Sequence, residues 1–290
     1  MKLSFSTKGW HNCTFEDFCD TAKELKFQGI ELHNIHNRLF TDKDGAFHNY
    51  AAAATVRKLY ELKLSLPCID TICDIAIKEK KAENIDEIKA CVDIASNLNI
   101  PNVRIRAIGN GEATEELIPV VMDILADAVP LAEEKGISLL LETSGIFAKT
   151  EDLRNVLIDF ASDSLGAIWD MYSTYFKAEE QAETTITNLG AYVRHVHIKD
   201  AQKTEDGTEF CLMGEGEMPI GEMMAALRSV NYDGFISLEW HPDWCEELDD
   251  MEIIFSQFVN FMKQFGDTSK NEPALYFNRA HTGKYVWEKD

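Results

Sequence analysis

The chain has 290 residues, of which 45% are hydrophobic and 27% charged, and this composition is typical of a globular protein with a sizeable buried core. Fifty acidic and 28 basic residues give a formal net charge of -22, which disfavours nucleic acids and anionic membrane surfaces as partners. A small anionic substrate is not excluded, because one metal ion and one or two arginines would set the local field at its site.

Short apolar runs rich in Val, Ile and Leu alternate along the chain with longer segments of helical period. Such runs are typical of parallel strands buried on both faces, and each interval between them fits one strand and one helix. The strand-like runs begin near Leu3, Ile30, Ser65, Val103, Ser138, Gly166, Val193 and Phe235.

The connecting segments carry helix signals. Thr14 precedes the acidic residues Glu16 and Asp17, which predicts an N-cap and the first turn of a helix. Apolar spacing predicts further helices over residues 47–62, 81–97 and 113–135.

The number and length of these units predict a single (β/α)₈ barrel over residues 1–266. An open doubly wound sheet is the alternative, but no glycine-rich phosphate-binding sequence follows the first strand. Residues 267–290 are predicted to be a linker and a short C-terminal extension. Residues 274–290 are similar over a short span to the lead-in of AMP-forming acyl-CoA synthetases and ligases, so they either begin a further domain or pack on the barrel or a partner.

Seven cysteines are scattered along the chain without a Cys-x-x-Cys pair, which predicts reduced thiols. The first residues run directly into a strand pattern, and no apolar stretch is long enough to span a membrane. We therefore expect a soluble, cytoplasmic protein, while the sequence leaves open whether it forms a homo-oligomer.

Metal-type side chains end four consecutive predicted strands: Glu142, Asp170, His197 and Glu239. In a barrel all four point toward one mouth. Three buried carboxylates repel one another, and a divalent cation would neutralise them, whereas the alternative is that each pairs with Lys, Arg or backbone amides. Oxygen ligands with one imidazole suit Mn²⁺, our first choice, and also Mg²⁺, Co²⁺ or Zn²⁺.

Three motifs give the chain a family resemblance: residues 195–200 (HVHIKD), the turn 214–216 (GEG) and residues 232–240 (YDGFISLEW). With them the chain resembles, over residues 1–265, the xylose isomerase-like superfamily of sugar phosphate isomerases and epimerases, including tagatose epimerase-like and inosose-processing barrels. The resemblance implies that Glu142, Asp170, His197 and Glu239 bind the metal. His195 lies one layer deeper on the same strand face and is expected to support the site or the core.

Two positions depart from the family pattern. Ser173 stands where many relatives have a histidine that orients the substrate, three residues after the aspartate of the sixth strand. Ser144 stands where dehydroshikimate dehydratase-like relatives have a histidine base. Dehydratase chemistry of that type is therefore not expected.

Other residues near strand ends are candidates for substrate binding. Arg104 and Arg106 share one strand face, where an inward arginine either binds a carboxylate or phosphate or pairs with an acid on a neighbouring strand. Arg106 is preferred because it lies nearer the mouth. Further candidates are Trp10, His33, His36, Asp70, Ser173 and Trp240, with the tryptophans as walls for a sugar-like ring.

Together these features predict a metal-dependent isomerase or epimerase of a small keto-sugar or polyol-derived ketone. The metal would hold adjacent carbonyl and hydroxyl oxygens and stabilise an enediolate, while Glu142 and Glu239 act as base and acid from opposite faces. The alternatives are a metal-dependent lyase or dehydratase on a similar substrate, and a non-catalytic ligand-binding or assembly domain of a longer fusion protein.

Overall fold

A computed structural model describes residues 1–111, 114–205, 207–245, 250–266, 278–279 and 285–286. The predicted (β/α)₈ barrel is confirmed. Its parallel strands are β1 (Lys2–Ser6), β2 (Gly29–Glu31), β3 (Ile69–Asp74), β4 (Asn102–Arg106), β5 (Ser138–Glu142), β6 (Leu165–Asp170), β7 (Val193–Ile198) and β10 (Phe235–Leu238). Between β7 and β10 lies an antiparallel hairpin of β8 (Asp200–Thr204) and β9 (Gly207–Cys211), which the sequence did not predict.

The strands follow one another around the barrel in the order β2-β1-β10-β7-β6-β5-β4-β3. Backbone hydrogen bonds close the remaining gap, from Ile30 N to Ser65 O at 3.0 Å and from Leu32 N to Cys68 O at 3.1 Å. The third strand was predicted from Ser65, but regular pairing begins at Ile69. Pro67 has no N–H to donate and interrupts the ladder between them.

The helices cover the outside of the barrel. They are α1 (Phe15–Leu25), α2 (Arg38–Thr41), α3 (Ala51–Leu62), α4 (Lys81–Leu98), α5 (Thr114–Lys135), α6 (Thr150–Phe160), α7 (Ala182–Leu189), α8 (Ile220–Ser229) and α9 (Met251–Met262). Thr14 caps α1 as predicted, because its hydroxyl accepts from Asp17 N and Asp17 accepts from Thr14 N. The helix predicted from residue 47 begins at Ala51, since Asn49 has φ 41° and cannot continue a right-handed helix.

The barrel strands have two different faces. Outward residues pack against the helices, as where the rings of Phe5 and Phe255 lie 4.4 Å apart. Inward residues include a small separate apolar cluster of Cys68, Leu140 and Ile168. Side chains alternate along a strand, so the polar residues that follow Leu140 and Ile168 two positions later also point inward, nearer the C-terminal mouth.

No helix in the described part of the chain is long and apolar enough to cross a membrane. All seven cysteines are free, as the scattered spacing predicted. Beyond Gly266, β11 (Asn278–Arg279) and β12 (Tyr285–Val286) pair antiparallel. The remainder of the predicted linker and extension, residues 267–290, lies outside the described residues.

Candidate metal and substrate site

Carboxylates and an imidazole gather at the C-terminal mouth of the barrel. Glu142 ends β5, Asp170 ends β6, His197 lies in β7 and Glu239 directly follows β10, and all four side chains are buried. Glu142, Asp170 and His197 offer ligand atoms that all lie within 4.8 Å of one another. The structure thus brings these three predicted ligands into one cluster.

A buried lysine joins Glu239 to this cluster. The Lys199 ammonium donates to Asp170 Oδ2 and to Glu239 Oε2, at 2.6 Å in each case. The other oxygen of Glu239 accepts from Lys8 Nζ at 2.7 Å. Burial raises the pKa of Glu239, but Lys199 and Lys8 outweigh burial and hold this pKa well below its ordinary value.

The donor set at the mouth fits a divalent metal ion. Three carboxylates and one imidazole are suitable ligands for Mn²⁺, Mg²⁺, Co²⁺ or Zn²⁺. The ammonium of Lys199 already lies between Asp170 and Glu239, so these two carboxylates are spaced to share one cation. The protein's own positive charge therefore stands where a metal ion would be electrostatically favoured.

Glu31, at the end of β2, is a site residue that the sequence analysis missed. Its two carboxylate oxygens accept from His195 Nε2 at 2.5 Å and from His197 Nε2 at 3.0 Å. Burial raises the pKa of Glu31, but the two imidazoles outweigh it and keep the pKa well below its ordinary value. The signal was present, because Glu31 ends an apolar strand just as Glu142 does.

His197 lies between two carboxylates. Its Nδ1 is 2.8 Å from Glu142 Oε1, on the side opposite the contact with Glu31. Burial lowers the pKa of His197, but Glu31 and Glu142 raise it well above its ordinary value. The two flanking carboxylates therefore favour the protonated imidazole, whose charge balances part of the acidic cluster.

Arg104 forms the ion pairs that were one of its two predicted roles. Its guanidinium donates to Asp70 Oδ2 at 2.6 Å and to Glu142 Oε2 at 2.9 Å, and all three side chains are buried. Arg106, the preferred candidate for substrate binding, is only partly buried and stands in register with Asp74. Arg104 therefore supports a predicted ligand, and Arg106 lies nearer the solvent.

A cavity of about 220 Å³ opens between the segments that follow β1 and β2. Its lining includes Trp10 and His33, two residues predicted to contact substrate. His33 Nδ1 lies 3.1 Å from Asp70 Oδ2, so the cavity adjoins the charged network of Asp70 and Arg104. His36, in contrast, is exposed and pairs with Glu87 at 2.6 Å away from this network.

Ser173 and Trp240 lie close in the chain to two of the predicted ligands, Asp170 and Glu239. Ser173 N donates to Asp170 Oδ1 at 2.7 Å, at the start of a π-helical turn over Ser173–Lys177. Such turns widen a helix and are frequent near functional sites. Trp240 is buried, with its ring 6.4 Å from that of Trp244. Ser173 therefore helps to hold Asp170 in place. Trp240 is a buried residue that directly follows Glu239.

The hairpin of β8 and β9 lies against the mouth. Phe210 stacks on Trp244 with ring centroids 4.4 Å apart, and Thr208 Oγ1 lies 2.6 Å from the Tyr172 hydroxyl. Asp200 anchors the turn that follows, because its carboxylate accepts from Gly214 N at 2.8 Å and Gly216 N at 3.1 Å. A Cβ at Gly216 would lie 2.5 Å from the backbone oxygen of Ala201, so this turn requires glycine.

Comparisons with known proteins agree with the resemblance seen in the sequence. The profile of a family described as a xylose isomerase-like TIM barrel matches residues 19–257. Fructoselysine 3-epimerase of Shigella flexneri is 25% identical over 250 residues, which cover 82% of this chain and 90% of that protein.

Solved structures share the fold at low sequence identity. The IOLI protein with a bound zinc atom has a TM-score of 0.76 at 15% identity, covering 92% of this chain and 99% of that one. The probable 3-DHS dehydratase AsbF of Bacillus anthracis has a TM-score of 0.74 at 16% identity, covering 91% and 99%. Proteins with this architecture thus include enzymes with different reactions. The reaction of this chain therefore has to be inferred from the side chains at the mouth.

Proposed function

This chain belongs to the xylose isomerase-like TIM-barrel family, and on that premise we propose that it is a metal-dependent epimerase or isomerase of a keto-sugar or a polyol-derived ketone. One observation carries the proposal: acidic side chains and one imidazole, from strands far apart in sequence, converge in a buried cluster at the mouth. The similarity to a fructoselysine 3-epimerase over most of both chains supports this class of reaction.

Glu142, Asp170, His197 and Glu239 would hold the metal ion. Mn²⁺ is our first choice for ligands of this type, and the zinc atom in the IOLI structure supports a divalent ion. When bound, the ion supplies a Lewis acid that polarises a substrate carbonyl and favours loss of a proton from the adjacent carbon.

Glu142 and Glu239 are the acid and base of the proposed reaction. They lie at the ends of β5 and after β10, which are separated by β6 and β7 around the barrel, so they approach the mouth from different sides. A carboxylate whose pKa lies well below its ordinary value is a poor base. Arg104 and His197 hold the pKa of Glu142 below its ordinary value, as Lys199 and Lys8 do for Glu239, so each carboxylate becomes an effective base only when a neighbouring cation moves away, for example to bind a substrate oxygen.

The cavity beside the mouth would receive the part of the substrate that does not react. Trp10 offers an apolar wall, and His33 offers a hydrogen-bonding group close to Asp70. Arg106 would contact the substrate nearer the solvent. This arrangement suits a ligand with one polar reacting end and a longer remainder.

Solvent-deuterium exchange into a panel of ketoses, with Mn²⁺-loaded protein, tests the proposal. We expect exchange by the wild type and at least about a hundredfold slower exchange by Glu142→Gln and Glu239→Gln, because each loses a proton-transferring group. Asp123→Asn on the exposed side of α5 is the matched acid-to-amide control and should exchange normally.

The same experiment separates the alternatives. Products that have lost water would instead support a lyase or dehydratase. Normal exchange in both glutamine variants would contradict the proposed mechanism. Full metal occupancy with no exchange on any ketose would support a non-catalytic ligand-binding domain.

A further inference from the structure

The buried carboxylate of Glu31 has no part in the function proposed above. It lies at the end of β2, across the barrel interior from β7, and none of its surface is exposed. Each oxygen faces a different imidazole of β7, Oε2 toward His195 and Oε1 toward His197. One acid therefore contacts both histidines of the HVHIKD motif.

The two nitrogens of His197 point to different neighbours. Nδ1 is 2.8 Å from Glu142 Oε1, on the side of the cluster with Asp170, whereas Nε2 is 3.0 Å from Glu31 Oε1. A neutral imidazole binds a metal through one nitrogen and carries its hydrogen on the other. With Nε2–H donated to Glu31, the lone pair of Nδ1 faces the cluster of Glu142 and Asp170.

We propose that Glu31 is a positioning residue of the metal site, which fixes the Nε2–H tautomer and the ring orientation of His197. This inference rests on the proposed metal site but not on the proposed reaction. Carboxylates that accept the second N–H of a ligating histidine commonly have this role, and their loss weakens metal binding about 10-fold to 100-fold.

His195 holds Glu31 in place. It is completely buried, its Nε2 lies 2.5 Å from Glu31 Oε2, and its Nδ1 has no hydrogen-bond partner. Glu31 is thus the partner that satisfies the buried imidazole of His195, and the two groups restrain each other. The order of contacts runs from His195 through Glu31 to His197.

A second arrangement has to be distinguished, because Glu31, His195 and His197 also offer ligand atoms within 4.8 Å of one another. An ion at that point would need the Nε2 lone pairs of both histidines and would remove both N–H donors from Glu31. His197 would then turn a protonated Nδ1 toward Glu142. Metal stoichiometry and the histidine tautomer separate this arrangement from the one proposed.

The first measurement needs no variant. Zinc-loaded wild-type protein, which is diamagnetic, is labelled with ¹⁵N-histidine, and long-range ¹H–¹⁵N spectra report which nitrogen of each ring carries hydrogen. We expect His197 to be metal-bound at Nδ1 and protonated at Nε2. Metal at Nε2 with hydrogen at Nδ1 would overturn the proposal.

The second measurement compares Mn²⁺ binding by calorimetry in the wild type, Glu31→Gln and Glu31→Asp. Gln presents one acceptor oxygen in place of two, so we expect one site per chain with affinity about 10-fold to 100-fold weaker. Asp keeps the carboxylate and should restore part of the affinity. Glu180→Gln is the matched control, because Glu180 is a carboxylate whose oxygen accepts from the hydroxyls of Thr150 and Thr185.

Two results would overturn the role of Glu31. Unchanged affinity in a folded Glu31→Gln protein would mean that His197 is held by other groups. Two ions per wild-type chain, with one lost in Glu31→Gln, would make Glu31 a ligand. If Glu31 affects metal binding as expected but no ketose exchanges deuterium, the proposed function fails while this inference stands.

Discussion

The two faces of the barrel strands differ in how they are stabilised. On the outer face of β1, Phe5 packs against Phe27 and Phe255 in an apolar layer beneath the helices. On the inner face at the mouth, buried acids are held by Arg104, Lys199 and other cations. The outer layer is stabilised by removing apolar area from water, and the inner layer by pairing charges that would be costly alone. Damage to one face should therefore leave a different signature from damage to the other.

The largest expected effect is a loss of stability from a cavity on the outer face. Phe5→Ala removes a completely buried ring and leaves a cavity, so we expect the free energy of unfolding to fall by about 3–5 kcal/mol. Urea denaturation with and without Mn²⁺ measures it. The loss should be the same in both conditions, since Phe5 lies outside the charged layer. A loss that depends on metal would contradict the separation of the two faces.

An inner-face change of similar size should respond to metal. Arg104→Met leaves Asp70 and Glu142 without their shared guanidinium, and breaking a buried pair in this way costs about 3–5 kcal/mol. Saturating Mn²⁺ should restore part of this stability, because the ion neutralises Glu142. The same urea experiment checks this, and an identical loss with and without metal would argue against Glu142 as a ligand.

Lys199→Met tests the charge balance of the inner face. The ammonium lies 2.6 Å from both Asp170 and Glu239, so it competes with a metal ion for the same charges. We expect the variant to bind Mn²⁺ at least about tenfold more tightly, because a buried positive charge this close to the ion opposes its binding by more than about 1.4 kcal/mol. Calorimetry measures the affinity, with Lys58→Met, an exposed lysine paired to Glu16, as the control. Weaker binding in Lys199→Met would contradict the competition.

The smallest effect is a dependence of stability on pH in the metal-free protein. Because the pKa of His197 is raised in the folded protein, its contribution to the free energy of unfolding is complete below about pH 6.5. This contribution is lost as the pH rises through the pKa of His197 in the folded protein. The lowered pKa values of Glu31 and Glu239 give contributions that are present above about pH 4.5 and are lost as the pH falls. Thermal melts should therefore show maximal stability between about pH 4.5 and pH 6.5, with a loss on either side. Stability that rises steadily into alkaline pH would contradict this assignment.

Much of the barrel could be predicted because its sequence signals are local. Apolar runs located the strands, and Thr14 located the start of α1. Strand ends also placed Glu142, Asp170 and His197 at one mouth, because topology alone brings such positions together. The hairpin of β8 and β9 was not predicted, since its strands are largely polar and only Asp200 and Ala201 are buried.

The contacts inside the site were less predictable. Alternation places Lys199 on the same strand face as His197, but its bonds to Asp170 and Glu239 depend on side-chain conformations across three strands. Glu31 was not predicted as a site residue, because its strand has only three residues and its contacts with His195 and His197 depend on how β2 and β7 face each other. Arg104 shows that one sequence position is compatible with two roles until its neighbours are known.

The lysine between Asp170 and Glu239 also bears on how the protein matures. Small zinc domains do not fold without their ion, because nothing else satisfies their ligands. Here Lys199, Arg104 and protonated His197 already balance much of the acidic cluster. The barrel can therefore form before the proposed ion binds, and the ion would then enter a site that is already folded.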